Sequence, residues 1–267
     1  MNTKTKIVLL GLGKVGQAFL RQAMDLALPF DFIALADSTA FWMGNPMKND
    51  LIEEALQRKQ QGFSLSNHPS AEPLQNLARA YFLNTIVVDT SSAPQLDLLP
   101  ALHAGCKLVF ANKNALSAPW MEAESYFNSP RVNYEATVGA GLPVINAIRT
   151  MIASGDVIKR IEGVMSGTLG FLCSRLEAGI SYSAAIQEAF AAGYTEPDPR
   201  DDLSGFDVAR KALILARTAG WPLEQKELSV EALYDPSLVG ISVDRFFTEM
   251  SGFDSAVQSR VEKAASE

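Results

Sequence analysis

The stretch KIVLLGLGKVGQAFLRQAMDLALPFDFIALAD, Lys6 to Asp37, decides the fold. Lys6 to Leu10 reads as a buried strand, and Gly11-Leu12-Gly13-Lys14-Val15-Gly16 follows at once. A helical pattern then runs from about Lys14 to Leu28, with Val15, Ala18, Phe19 and Ala23 recurring at helical spacing. A second apolar run, Phe32 to Ala36, ends at Asp37. In this strand–turn–helix–strand context each glycine has a physical task. Gly11 permits the tight turn, Gly13 lets backbone approach a pyrophosphate, and Gly16 lets the helix pack close to the strand. The helix start, at Val15 and Gly16, offers unpaired N–H groups and a partial positive charge to phosphates. A flavin or a purely structural turn fits the glycines too, but the setting favours a dinucleotide. Asp37 lies 21 residues after Gly16 (37 − 16). A carboxylate there can accept from the adenosine ribose hydroxyls and repel a 2′-phosphate, which favours NAD over NADP. Ser38 and Thr39 can still bind a phosphate, so NADP stays open.

Working outward, Thr39 to His68 holds one polar helix, Leu51 to Lys59. Two strand–helix units follow: Thr85 to Asp89 with a helix at Gln95 to Ala104, and Lys107 to Phe110 with a helix at Pro119 to Phe127. Strands alternating with helices predict an α/β fold, a Rossmann-type doubly wound parallel sheet. After Arg131 the alternation stops. Val132 to Ala136 and Lys159 to Met165 read as strands. Pro143 to Ala153, Thr168 to Glu177, Ser183 to Ala192 and Leu203 to Ala219 read as helices. The expected division is a dinucleotide-binding domain over 1–136 and an α+β substrate and dimerisation domain over 137–267.

Composition narrows the class of partner. The 267 residues carry a formal charge of −7, which argues against nucleic acid and anionic membrane surfaces as partners and by itself says nothing about a small-molecule substrate. No apolar run approaches the ~18 residues a membrane span needs, and only four apolar residues precede Gly11 after Met1 to Lys6. A cytoplasmic protein is expected. Cys106 and Cys173 form no metal-ligand spacing, and His103 with Cys106 could make a metal pair only with help from distant residues; with His68 in a polar loop, proton chemistry falls to lysines and carboxylates.

The densest chemistry is GYTEPDPRDDLSGFDVARK, Gly193 to Lys211. Two prolines hold Glu196 to Arg200 out of a helix, and five acidic residues crowd into the twelve positions from Glu196 to Asp207. Asp207 and Lys211, four apart, share a helix face. Two readings stand here. Ser204 with Asp207 fits a capping box, Asp201 or Asp202 a cap, and Asp207 with Lys211 a surface ion pair; alternatively, paired carboxylates suit a substrate ammonium. Lys113 follows a strand at the sheet edge where such folds bind ligands, and Thr90-Ser91-Ser92 occupies the matching place after the preceding strand.

These blocks resemble the homoserine dehydrogenase family. Gly193 to Lys211 is similar to its long acidic signature, as are EATVGAGLP at Glu135 to Pro143, SGTL at Ser166 to Leu169, Asn112-Lys113 and Asp89-Thr90-Ser91-Ser92. They cover most of residues 6 to about 220, in the family's order. The resemblance implies reversible interconversion of L-aspartate 4-semialdehyde and L-homoserine by NADH or NADPH, toward threonine and methionine. It implies Lys211 as general acid–base and Lys113 as second catalytic lysine, the latter also near the cofactor. Glu196 and Asp207, with Asp202, Tyr194 and Thr168, are implied as the substrate site, and Thr90 and Ser91 as cofactor neighbours. Carbonyls of Glu135, Val138, Ala140 and Leu142 are implied as ligands of a monovalent cation, usually sodium, and a homodimer as the assembly.

The sequence departs from the family in one respect. The family's catalytic region continues past the equivalent of Glu267 with a segment that returns to the cofactor, so a C-terminally truncated, monofunctional member is expected, with no preceding kinase. The alternative is a catalytically impaired dinucleotide-binding fragment of the same family. A dehydrogenase forming an acyl-enzyme needs an activated cysteine with a histidine base, and neither cysteine has that setting.

Overall fold

A computed structural model describes residues 4–94 and 96–266. The chain separates into two compact units. One runs as far as Val157 and takes in Arg217–Pro222; the other comprises Ile158–Ala216 and the residues from Leu223 onward.

In the first unit, β1 (Thr5–Leu10), α1 (Lys14–Asp25) and β2 (Phe30–Ala36) form as expected from the opening stretch. β3 (Phe41–Met43) returns antiparallel along β2, and α2 (Asn49–Gln60) follows. Then come β4 (Thr85–Asp89), α3 (Leu99–His103), β5 (Lys107–Phe110), α4 (Asn114–Ser117), α5 (Trp120–Phe127) and β6 (Val132–Asn133). The sheet order is β3-β2-β1-β4-β5-β6, with every neighbouring pair parallel except β2 with β3. The chain therefore reverses direction of winding beside β1, and the carboxyl ends of β1 and β4 frame the crevice where such sheets bind ligands.

Ile7 to Leu10 are at most 3% exposed, as a central strand covered on both faces must be. Leu9 and Leu20 pack with Phe32, Leu35 and Trp42 in one core, and Phe19 of α1 sits against Phe30 and Phe32. The Trp42 indole satisfies its buried N–H on the Leu65 carbonyl at 3.0 Å. Truncating a residue such as Leu9 to alanine costs about 3 kcal/mol here.

Several local expectations shift. The third helix starts only at Leu99, and Gln95, its expected first residue, lies outside the described residues. The strand expected over Val132 to Ala136 stops at Asn133, because residues 135–137 turn into a 3-10 segment that leads to α6 (Val144–Ala153). The boundary also falls at Val157 rather than at 136. The cause is α6, which is bound to the sheet. Arg149 donates to the Val132 carbonyl at 3.2 Å and lies 4.5 Å from the Tyr134 ring.

The second unit contains α7 (Gly167–Glu177), α8 (Tyr182–Ala191), α9 (Pro199–Leu203), α10 (Phe206–Thr218, whose last two residues belong to the first unit), α11 (Val243–Glu249) and α12 (Asp254–Ser266). Leu172, Tyr182, Ile186, Leu203, Leu238 and Phe246 form its core. The strand expected at Lys159 to Met165 does not form. A strand needs a neighbour to satisfy its backbone, and the described residues of this unit form no strand for it to pair with. Val157, just before that segment, and Val164, within it, are 79% and 80% exposed. The helix expected over Leu203 to Ala219 breaks at Ser204-Gly205, where Gly205 adopts φ +73°. No helix of the described residues is long and apolar enough to cross a membrane.

Candidate functional site

The first cluster lies at the crevice of the first unit. Gly11 takes φ +90°, and a Cβ there would stand 2.5 Å from the Ser91 backbone. At Gly16 a Cβ would stand 1.9 Å from the Gly11 carbonyl oxygen and 2.7 Å from Thr90 Oγ1. Both positions therefore demand glycine. Thr90 Oγ1 donates to the Gly11 carbonyl at 2.6 Å and lies 3.0 Å from that of Leu10, tying the loop after β4 to the glycine turn. Gly13 differs: nothing lies within 4 Å of its absent Cβ, and as N-cap of α1 it offers no side-chain cap. The helix N-terminus thus opens onto a space with room for phosphate oxygens beside Val15 and Gly16, so these residues fit a dinucleotide.

Asp37 does not stand free. Its Oδ1 accepts from Thr39 N at 2.8 Å, Thr39 Oγ1 at 2.7 Å and Ala40 N at 3.2 Å. Its Oδ2 accepts from Lys59 Nζ at 2.8 Å and Leu65 N at 2.9 Å. The side chain is 5% exposed. Burial pushes this carboxyl up, but the Lys59 ammonium and the hydrogen bonds from Thr39 and Leu65 outweigh it and bring it from 3.8 down to about 2. A carboxylate with five donors has no open lone pair for ribose hydroxyls. The expectation that Asp37 selects NAD therefore loses its geometric basis. Nothing in the sequence spacing pointed to Lys59 or Leu65 as its partners.

Lys113 is the N-cap of α4, and its carbonyl accepts from Leu116 N, Ser117 N and Ser117 Oγ. It belongs to the first unit and Lys211 to the second.

The second cluster lies within the second unit. Lys211 Nζ donates to Asp207 Oδ2 at 2.8 Å and to the Met165 carbonyl at 2.7 Å. Met165 immediately precedes Ser166, whose hydroxyl caps α7 by accepting from Leu169 N. The ammonium is thereby held beside a helix N-terminus. Thr168 Oγ1 lies 2.6 Å from the Tyr194 carbonyl and 3.2 Å from Asp202 Oδ1, while Asp202 Oδ2 accepts from Glu196 N at 2.8 Å. Asp202 is therefore the strut that fastens the Tyr194–Glu196 loop to α7, rather than a helix cap. The cap of α9 is Asp198, which accepts from Arg200 N and ion-pairs with the Arg200 guanidinium. That guanidinium holds the Asp198 carboxyl below its usual range. The Tyr194 ring is half exposed, edge-on to Phe171.

The Glu135 side chain accepts from Ile145 N at 2.8 Å and Asn146 N at 2.9 Å, so it caps α6. Of the four carbonyls expected around a cation, that of Glu135 accepts from Val138 N at 3.4 Å and that of Leu142 from Val144 N at 2.9 Å. Gly139 and Ala140 both adopt left-handed backbone, at φ +83° and +53°. Each carbonyl retains a second lone pair, so the turn can still present oxygens to a hard cation.

A doubly wound sheet with a glycine-built phosphate cradle defines a dinucleotide-binding α/β protein, and a lysine–carboxylate cluster on the second unit adds polar chemistry to it. Residues 143–266 match the family model for homoserine dehydrogenase. A homoserine dehydrogenase of Paracoccidioides brasiliensis (strain Pb18) is 36% identical over 97% of this chain and 76% of its own length. A crystal structure of a protein of unknown function from Candida auris matches with a TM-score of 0.82 at 29% identity, covering 98% of this chain and 76% of that one. A hyperthermophilic archaeal homoserine dehydrogenase in complex with NADPH matches with a TM-score of 0.63 at 25% identity, over 81% of this chain and 70% of that one. The chain belongs to the homoserine dehydrogenase family, oxidoreductases of amino-acid biosynthesis that use NAD(P).

Proposed function

We propose that this chain interconverts L-homoserine and L-aspartate 4-semialdehyde, with Lys211 as the group that handles the proton. The observation that carries the reading is the Lys211 ammonium, fixed by the Asp207 carboxylate and the Met165 carbonyl next to the start of α7. An ammonium has three donors, and those two bonds leave the third for a substrate oxygen. A cation so placed stabilises negative charge developing on that oxygen and delivers or removes its proton. The nicotinamide, when bound, supplies or accepts the hydride. Lys113 is the second lysine of the reaction, set at the sheet edge by the loop after β5.

Glu196 and Asp207 meet the substrate ammonium, and N–H groups at the start of α7, by Gly167 and Thr168, meet its carboxylate. Tyr194 and Asp202 hold that pocket in shape. Carboxylates left without an ammonium penalise an analogue lacking the amine, by ~10⁴-fold in a dry site. Gly11, Gly13, Val15, Gly16, Thr90 and Ser91 hold the dinucleotide. Because Lys59 neutralises Asp37, the end of β2 does not repel a 2′-phosphate, so either NAD or NADP is used. The relative solved with NADPH supports that reading. Carbonyls at Glu135, Val138, Ala140 and Leu142 hold a monovalent cation, for which sodium is the ion to test. By the family's pattern the chain works as a homodimer in the cytoplasm, on a small-molecule substrate.

The test compares kcat/KM for L-homoserine and for 4-hydroxybutyrate, which lacks the amine. A loss of about 10³-fold or more supports the carboxylate pocket, and near-equal rates overturn it.

A further inference from the structure

Asp89 ends β4 at the centre of the sheet and is 0% exposed. Its Oδ1 accepts from Ser91 N at 2.9 Å and Ser91 Oγ at 2.7 Å, which fixes the loop that crowds Gly11. Its backbone carbonyl accepts from Ala111 N at 2.8 Å and Asn112 N at 3.2 Å, which fixes the loop after β5. The two loops are then cross-tied. Asn112 Nδ2 donates to the Ala93 carbonyl at 3.1 Å and reaches Ser91 Oγ at 3.5 Å. Asn112 Oδ1 accepts from Asn114 N at 3.0 Å, and Asn114 Nδ2 donates to the same Ala93 carbonyl at 3.0 Å. Lys113 lies between those two asparagines.

One oxygen of this carboxyl, Oδ2, is buried with no hydrogen-bond partner among the described residues. Leaving a carboxyl oxygen bare in the interior costs about 1–3 kcal/mol. Stability alone does not explain an aspartate there, whereas the bonds of Oδ1 do. Burial raises the Asp89 carboxyl above its usual range. An asparagine has the same outline and keeps one oxygen to accept from Ser91 N and Ser91 Oγ.

We infer that Asp89 is a positioning residue, acting through Ser91 and Asn112 to set the backbone at Lys113 for the reaction. This rests on the reading of Lys113 given above, and the experiment separates the two. Asp89→Ala, Asp89→Asn, Lys113→Ala and the double variant Asp89→Ala with Lys113→Ala are compared with wild type. The readouts are kcat, KM, dinucleotide Kd, and hydrogen exchange of the backbone amides at 112–117. Asp89→Ala is expected to lower kcat about 30-fold, with dinucleotide Kd within about 5-fold. Its amides at 112–117 should exchange about tenfold faster or more, while those of β1 stay protected. Asp89→Asn should restore kcat and exchange to within about 3-fold of wild type. The double variant should be no slower than Lys113→Ala.

Multiplicative losses in the double variant overturn the inference. So does unchanged exchange at 112–117 in Asp89→Ala, whatever the rates. If Lys113→Ala itself turns over normally, the catalytic reading of Lys113 fails, while the exchange still decides whether Asp89 positions that loop. Should Asp89→Ala not fold, Asn112→Ala cuts the same tie outside the sheet. It is expected to lower kcat with Kd retained, and a wild-type kcat there overturns the inference.

Discussion

Replacing Asp37 with asparagine tests whether this carboxylate is a structural clasp. A carboxyl moved from 3.8 to about 2 contributes about 2.5 kcal/mol at neutral pH, and at 5% exposure solvent screens little of it. Asparagine keeps an oxygen for Thr39 and Ala40, but it turns an NH2 toward the Lys59 ammonium and the Leu65 N–H. The Leu65 amide then loses its acceptor, which adds about 1 kcal/mol. The expected loss at pH 7 is therefore about 2–4 kcal/mol. Its pH dependence has a definite sign, because the folded-state pKa is depressed. The stabilisation is fully present above the unfolded value near 3.8 and is lost as pH falls through about 2. The electrostatic part should thus stay level from pH 8 to 5 and fall to about half by pH 3. Urea unfolding of both proteins at pH 7, 4 and 3 measures this, with exchange of the Leu65 amide as the local probe. A difference under about 0.5 kcal/mol at pH 7, or one that does not shrink toward pH 3, refutes the clasp.

Four further outcomes follow from the same geometry. Asp37→Ser should change the NAD-to-NADP ratio of kcat/KM by less than about 3-fold; a tenfold swing toward NADP would return Asp37 to the ribose. Lys211→Ala should lower kcat by about 10³-fold with dinucleotide Kd nearly unchanged, and a near-wild-type kcat removes the proposed proton carrier. Gly16→Ala, whose Cβ meets the Gly11 carbonyl at 1.9 Å, should lower Tm by about 5 °C or more and weaken dinucleotide binding. Asp202→Ala frees the Tyr194–Glu196 loop and should raise KM for L-homoserine by about tenfold, more than it lowers kcat; the reverse split would place Asp202 in the chemistry itself.

How much of this was legible depended on how local the physics was. The β1–glycine turn–α1 unit could be read because strand burial, positive φ at Gly11 and close packing at Gly16 are local demands on residue type. The Asp207–Lys211 pair followed from helix geometry, four residues apart. Contacts set by tertiary packing could not be read. Lys59 and Leu65 reach Asp37 across 22 and 28 residues, and Met165 reaches Lys211 across 46. The acidic run from Glu196 to Asp207 looked like one cluster, yet it divides by task. Asp198 caps a helix, Asp202 braces a loop, and Asp207 pairs with the lysine. Lys159 to Met165 read as a strand, but a short apolar stretch supplies no partner for its backbone. The helices α11 and α12 lie beyond the last pattern read, near Ala219, and are held by packing on α8 and by Asp254, which accepts from Ser183 N at 2.7 Å.

The most direct test of the central claim is formation of reduced nicotinamide from L-homoserine by this 267-residue chain, with NAD and NADP in parallel and Lys211→Ala beside wild type. The account predicts turnover with both dinucleotides and its loss in the variant. A folded wild-type chain that binds the dinucleotide but turns over neither would contradict it, as would a Lys211→Ala variant that keeps the wild-type rate.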